Sequence, residues 1–182
     1  MLLHLVLVAV FGILIPWWKG VGFFDPVITA AYACMGTIFA APAAAQAFSA
    51  ERPQSMREAL LKAGRAVLYG EALAAIFLMT GIATVSLTHG PRLMLPELDV
   101  LAETALLGLA GSMAVAGLSG WVTLRFSVTA ARVMMRLIFL TLLIAFFYSA
   151  RRLPDVAFAA TAYCVAIAAV AVLLLRREVC PR

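Results

Sequence analysis

Apolar residues along the chain fall into six segments that are separated by short polar stretches. A membrane-spanning helix needs about 20 consecutive apolar residues, and each segment is close to that length. The pattern therefore predicts an all-α transmembrane bundle of about six spans, forming a single domain over 1–182. The predicted spans are 2–18, 26–48, 66–88, 99–124, 133–149 and 155–175.

Local signals refine the ends and the shape of two of these spans. Trp17 and Trp18 precede Lys19, and such residues favour the membrane interface. The pair Asp25-Pro26 is a good helix start, since aspartate caps a helix and proline suits its first position. Pro42 predicts a kink in the second span, because it has no N–H to donate within the helix.

The connector 49–65 is more polar than the segments around it, and Ser55 followed by Glu58 has the spacing of a capping box. Beyond this cap, Met56, Leu60 and Val67 share one helix face, opposite the charged residues. This predicts a short amphipathic helix on the cytoplasmic membrane surface. The alternative is a solvated connector that only continues the third span. The residues predicted to contact a partner here are Arg57, Glu58, Lys62 and Arg65.

Basic residues predict the orientation of the bundle, because they concentrate on cytoplasmic loops. With six spans and both termini in the cytoplasm, the inside holds ten basic residues and the outside holds four. The inside set is Arg52, Arg57, Lys62, Arg65, Arg125, Arg132, Arg136, Arg176, Arg177 and Arg182, and the outside set is Lys19, Arg92, Arg151 and Arg152. The Arg151-Arg152 pair opposes this orientation, and five spans would place it differently.

Composition agrees with a multi-pass protein of a cell membrane, such as an inner membrane. Of the 182 residues, 65% are hydrophobic and 13% are charged, and the mean hydropathy is +1.04. Soluble domains are about 45–50% apolar and about 25% charged, so a soluble enzyme is excluded. The net charge of +5 is explained by orientation, and no basic patch with stacking aromatics indicates a nucleic-acid partner.

Small residues recur at every fourth position in three predicted spans, which is the spacing of a groove for a neighbouring helix. This pattern predicts a close-packed seam, which either is static or slides as in transporters. The seam residues are Thr104, Gly108, Ser112, Ala116 and Gly120 in the fourth span, Thr29, Ala33, Thr37, Ala41 and Ala45 in the second, and Ala160, Cys164 and Ala168 in the sixth.

Ionisable residues at membrane depth are the candidates for a substrate or proton path. Glu71 lies in the third span, while Arg132 and Arg136 lie at the start of the fifth. A carboxylate in lipid is costly unless it is paired, so we expect Glu71 to meet Arg136 or, failing that, Arg132. Such a pair is either structural or part of the path. Glu103, near the opposite face, is a weaker candidate for a vestibule.

No sequence feature predicts a cofactor or a metal site. The three cysteines form no C-x-x-C pair. His4 and His89 are predicted on opposite membrane faces, which disfavours haem or metal ligation between them. No phosphate-binding glycine loop is present, so active transport would need an ion gradient or a partner ATPase.

The tetrapeptide Gly117-Leu118-Ser119-Gly120 resembles the G-x-S-G serine motif of rhomboid intramembrane proteases. Six spans with cytoplasmic termini would also suit that family, which carries its catalytic histidine in the sixth span. Here the predicted sixth span contains no histidine. A serine hydroxyl without a base is a poor nucleophile, so we assign Ser119 to the small-residue seam.

Three functions remain. The first is a transporter or permease subunit that works with other membrane subunits or a cytoplasmic ATPase; in layout the chain resembles ABC-type exporter subunits and the substrate-capture subunits of vitamin importers. The second is a non-transporting accessory or assembly subunit of a larger membrane complex. The third is an intramembrane enzyme acting on lipid, for which the predicted outer face offers Asp25, His89, Glu97, Asp99 and Glu103.

Overall fold

The computed structural model describes residues 2–19, 26–89, 98–149 and 153–180. Helices make up almost all of these residues, and no strand occurs among them. The helices are α1 (Leu2–Lys19), α2 (Pro26–Ala50), α3 (Met56–His89), α4 (Leu98–Arg125), α5 (Val128–Ser149) and α6 (Leu153–Val179). The all-α fold class is therefore confirmed.

Within the described residues, three helices are long and apolar enough to cross a membrane. The qualifying stretches of α3, α4 and α6 are Met56–Thr88, Ala102–Arg125 and Phe158–Val179, and α1 contributes a shorter apolar stretch, Leu3–Leu14. Each of the three exceeds the roughly 20 residues that a span requires. These stretches support a membrane protein, whereas six spans with both termini in the cytoplasm remain a prediction.

Two serines explain where helices begin. The hydroxyl of Ser55 accepts from the backbone N–H of Glu58 at 3.2 Å. Helix α3 begins at Met56, the residue after this serine. Likewise, the hydroxyl of Ser127 accepts from the backbone N–H of Ala130 at 3.1 Å. Helix α5 begins at Val128, the residue after this serine. Each serine satisfies a donor that the first turn of a helix leaves without an intrahelical partner.

Helices α2 and α4 occupy the centre of the bundle. They pack most extensively against each other, while α3 and α5 lie against α2, α6 lies against α4, and α1 lies against α3. Most of the inward side of α2 is formed by four alanines and one aromatic residue, all nearly fully buried, namely Ala40, Ala41, Ala44, Ala45 and Phe48. Such small side chains let helix backbones approach closely in a membrane.

Large apolar side chains point outward. Leu68 in α3 is 71% exposed, and Leu87 and Phe158 are each 87% exposed. In water, outward faces of this kind would be an aggregation liability. Lipid accepts them, so the distribution of small residues inside and large residues outside is the one expected of a membrane bundle.

Candidate functional site

Two glycines bring α2 and α3 together at the centre of the candidate site. A Cβ added at Gly70 would overlap the backbone carbonyl oxygen of Gly36 and would lie 3.0 Å from the backbone nitrogen of Ala40. Because the opposing atoms belong to the backbone, only glycine fits at position 70 without the helices moving apart.

Glu71 follows Gly70 and reaches across this contact to α4. The hydroxyl of Ser112 donates to Oε1 of Glu71 at 2.6 Å, and Ser112 is fully buried. Gly36 clears the space for this bond, because a Cβ there would overlap Glu71 Oε1 and lie 2.8 Å from Ser112 Oγ. We call Gly36, Gly70, Glu71 and Ser112 the three-helix junction, since they join α2, α3 and α4.

The predicted ion pair of Glu71 with Arg136 or Arg132 is wrong. Within the described part of the chain, no salt bridge involves Glu71, and its carboxylate instead accepts from Ser112. The reason is geometric: α2 lies between α3 and α5, and α5 packs mainly against α2 and α4. The hydropathy pattern gave the depth of these residues in the span, but depth alone does not say which helices are neighbours.

Arg132 and Arg136 instead line a cleft of about 560 Å³ between α2 and α5. We call this the arginine cleft. Its other lining residues are Thr37, Ile38, Pro42, Ala45, Gln46, Ser49, Val128 and Ile138. Pro42 is exposed toward this side of α2 and has no N–H, so the carbonyl of Ile38 lacks its usual helical donor.

Glu103 does not join the three-helix junction. It is exposed on α4, nine residues before Ser112, which is about 13.5 Å along the helix axis. The other acidic and histidine residues proposed for a lipid-acting site, Asp25, His89, Glu97 and Asp99, have side chains outside the described part of the chain. Among the described residues, no group of His, Cys, Asp and Glu could hold a metal ion.

The predicted seam residues of α4 all face the bundle interior. Gly108, Ser112, Ala116 and Gly120 are buried, and the Ser119 hydroxyl beside them donates to the carbonyl of Ala41 at 2.8 Å. From α2, Thr37 and Ala41 are also buried. A Cβ at Gly111 would lie 2.8 Å from Thr37 Cγ2, and one at Gly120 would lie 2.7 Å from the Phe48 ring. Ala33 lies in a part of α2 whose side chains are outside the described residues.

A polar contact between α1 and α3 was also not predicted from the sequence. His4 of α1 shares a hydrogen bond of 2.9 Å between Nδ1 and the Tyr69 hydroxyl, and its ring lies 5.3 Å from the ring of Phe39. Since 65 residues separate the pair and each residue is ordinary in its local context, no sequence signal marked it.

The predicted partner-contact residues lie in the first three turns of α3. Residues 56–89 form one uninterrupted helix, so residues 56–65 of the connector are continuous with the third predicted span. Their position on a cytoplasmic membrane surface stays a prediction. Lys62 forms ion pairs with two preceding glutamates: its Nζ lies 3.5 Å from Glu51 Oε2 and 3.3 Å from Glu58 Oε1. Arg57 and Arg65 are exposed and make no ion pair among the described residues.

Comparison with known proteins gives no assignment: no family model matches the chain, and neither the curated proteins nor the solved structures give a significant match.

Proposed function

We propose that the chain is a multi-pass subunit of a membrane transporter or permease, and that Glu71 lies on its substrate or proton path. One observation carries the proposal. Glu71 is a carboxylate inside an apolar bundle, and no cation neutralises it among the described residues. Ionisable residues inside membrane helices are costly and characteristically functional.

The surroundings of Glu71 support this role. The hydroxyl of Ser112 that donates to Glu71 is neutral, so the carboxylate keeps further acceptor capacity for a proton, a cation or a substrate N–H. Gly36 and Gly70 remove side chains where three helices meet. A junction of small residues allows the helices to shift relative to one another without first unlocking large side chains.

The extension of α3 supports work with a partner. Ser55 and Lys62 fix this segment to the preceding turn, while Arg57 and Arg65 remain exposed. A rigid, charged helix end in the predicted cytoplasmic connector is suited to contact a cytoplasmic ATPase or another membrane subunit.

A second candidate, an accessory or assembly subunit, is favoured by a different observation. Among the described residues, every buried side-chain nitrogen or oxygen has a hydrogen-bond partner. The bonds of Ser112 to Glu71 and of Ser119 to Ala41 join neighbouring helices. Such an interior suits a protein that only packs. The lipid-acting enzyme has no cluster of described residues to support it.

The experiment that separates these candidates is purification of the tagged protein, in mild detergent and at native expression level, followed by identification of its partners. Recovery with an ATPase supports the permease subunit and points to Arg57 and Arg65 as contacts to mutate. Recovery with a large membrane complex that lacks an ATPase contradicts the transporter proposal and supports the accessory role. Recovery alone contradicts the role of a stable subunit and leaves a self-contained, gradient-driven transporter or a lipid-acting enzyme.

Glu71 is then tested in the context so identified, using Glu71→Gln and Ser112→Ala. The glutamine can still accept from Ser112 but carries no charge, whereas the alanine removes the hydrogen bond and keeps the charge. Transport that needs the carboxylate is lost in Glu71→Gln and retained at least in part in Ser112→Ala. Full activity of a folded Glu71→Gln variant would remove Glu71 from the path.

A further inference from the structure

The arginine cleft has a charge that the described residues do not balance. Among the described residues, ion pairs join Lys62 to Glu51 and Glu58, and Arg125 to Glu178. Arg132 and Arg136 take part in none of them. Both arginines are exposed, and both line the same cleft between α2 and α5, which therefore carries two positive charges.

The two arginines are arranged to act on one anion. They are four residues apart on α5, so they lie one above the other on the same face. A guanidinium presents a planar fork of donors that matches a phosphate or carboxylate. From the facing helix, the exposed Gln46 adds an amide that can donate, while the Ser49 hydroxyl already donates to the Gln46 carbonyl at 2.9 Å.

Apart from Thr37, the remaining lining of the cleft is apolar. Ile38, Pro42, Ala45 and Ile138 line it, and Leu137 and Leu140 on α5 are more than half exposed. A small soluble anion would use the arginines but not this apolar lining. A phospholipid uses both, with its phosphate at the arginines and its acyl chains along α5.

We propose that the arginine cleft binds the phosphate headgroup of an anionic phospholipid. Basic pockets between transmembrane helices on the cytoplasmic side are known to bind such headgroups, and in the predicted topology the start of α5 lies on that side. The size of the cleft, about 560 Å³, is within the range of about 300–1,000 Å³ that ligand pockets occupy. This site is separate from Glu71, so neither proposal depends on the other.

The test measures lipid binding by the purified protein in neutral detergent. Native mass spectrometry detects retained lipid, and titration with phosphatidylglycerol gives the affinity. The wild-type protein retains one phosphatidylglycerol and binds phosphatidylcholine much more weakly. The variant Arg132→Gln/Arg136→Gln loses about thirtyfold in affinity for phosphatidylglycerol. The matched control, Arg57→Gln/Arg65→Gln, removes the same charge from exposed positions outside the cleft and changes the affinity less than about threefold.

Two further measurements keep the result decisive. Helix content and thermal unfolding of the double variant show whether it folds; because both arginines are exposed, we expect no change. The variant Arg132→Lys/Arg136→Lys keeps the charge and recovers part of the affinity. Equal losses in the cleft variant and the control would overturn the proposal, as would unchanged binding in the cleft variant. Competition by millimolar inorganic phosphate would show a site for soluble anions instead of lipid.

Discussion

The close approach of α2 and α3 makes Gly70→Ala the most informative substitution for the fold. The added Cβ would overlap the Gly36 carbonyl oxygen and lie 3.0 Å from both the nitrogen and the Cβ of Ala40. Overpacking costs about 1–3 kcal/mol, and the upper end applies because backbone atoms cannot swing aside. Alanine recovers about 1 kcal/mol of helix propensity over glycine, so the net loss of unfolding free energy is about 2 kcal/mol.

The same helix provides the control. Gly64 lies in α3, six residues earlier, and a Cβ there would meet no atom within 4 Å. Gly64→Ala is therefore neutral or stabilising by up to about 1 kcal/mol. In detergent, circular dichroism during heating should show the melting temperature of Gly70→Ala lowered by about 4–8 °C and that of Gly64→Ala unchanged or raised. Equal melting temperatures for the two variants would refute the close approach of α2 and α3.

Three further substitutions test neighbouring contacts. Gly36→Ala should displace the Glu71 carboxylate from Ser112 at a cost of about 1–3 kcal/mol, which the helix propensity of alanine offsets by about 1 kcal/mol. A double-mutant cycle with Glu71→Ala should show coupling, and additive effects would contradict this cause. Ser119→Ala removes the hydrogen bond to the Ala41 carbonyl and should lower the unfolding free energy by about 0.6 kcal/mol, the average for such bonds in membrane proteins. A loss several times larger in an unfolding titration would show that Ser119 does more than donate to Ala41. Ser55→Ala removes the N-terminal cap of α3 and should lower the unfolding free energy by about 1 kcal/mol. Amide hydrogen exchange should become faster only in residues 56–60, and an equal increase along the whole chain would contradict a local effect of the cap.

The hydropathy pattern predicted helices, and the cap at Ser55 predicted where α3 begins. Hydropathy alone did not predict which side of a helix faces the interior of the bundle. In the connector, the hydropathy pattern grouped Leu60 with Met56 and Val67 on one apolar face, yet Leu60 is 46% exposed while Val67 is 7% exposed. In water the largest apolar residues are driven inside, whereas in lipid the small ones pack inside because they permit close contact.

That rule also explains which part of the site could be predicted. The four-residue recurrence of small residues in α4 marked positions that the structure places in the interior, Gly108 and Ala116 among them. The partner of Glu71 could not be predicted, because the choice between Ser112 and Arg136 depends on the order of helices around the bundle. A single sequence gives the depth of a residue in its helix but not that order.

The most direct test of the proposed path asks whether water reaches position 71. In a background with Cys34, Cys164 and Cys180 replaced by alanine, Glu71→Cys is exposed in vesicles to a small hydrophilic thiol reagent. Two controls on α3 bracket the result: Leu73→Cys, where the native residue is 1% exposed, and Leu68→Cys, where it is 71% exposed on the apolar outer face. If Glu71 lies on a water-accessible path, the reagent labels the cysteine at position 71 and labels either control cysteine only weakly. Labelling at 71 no faster than at 73, in folded protein, would contradict it and leave the three-helix junction as a structural contact.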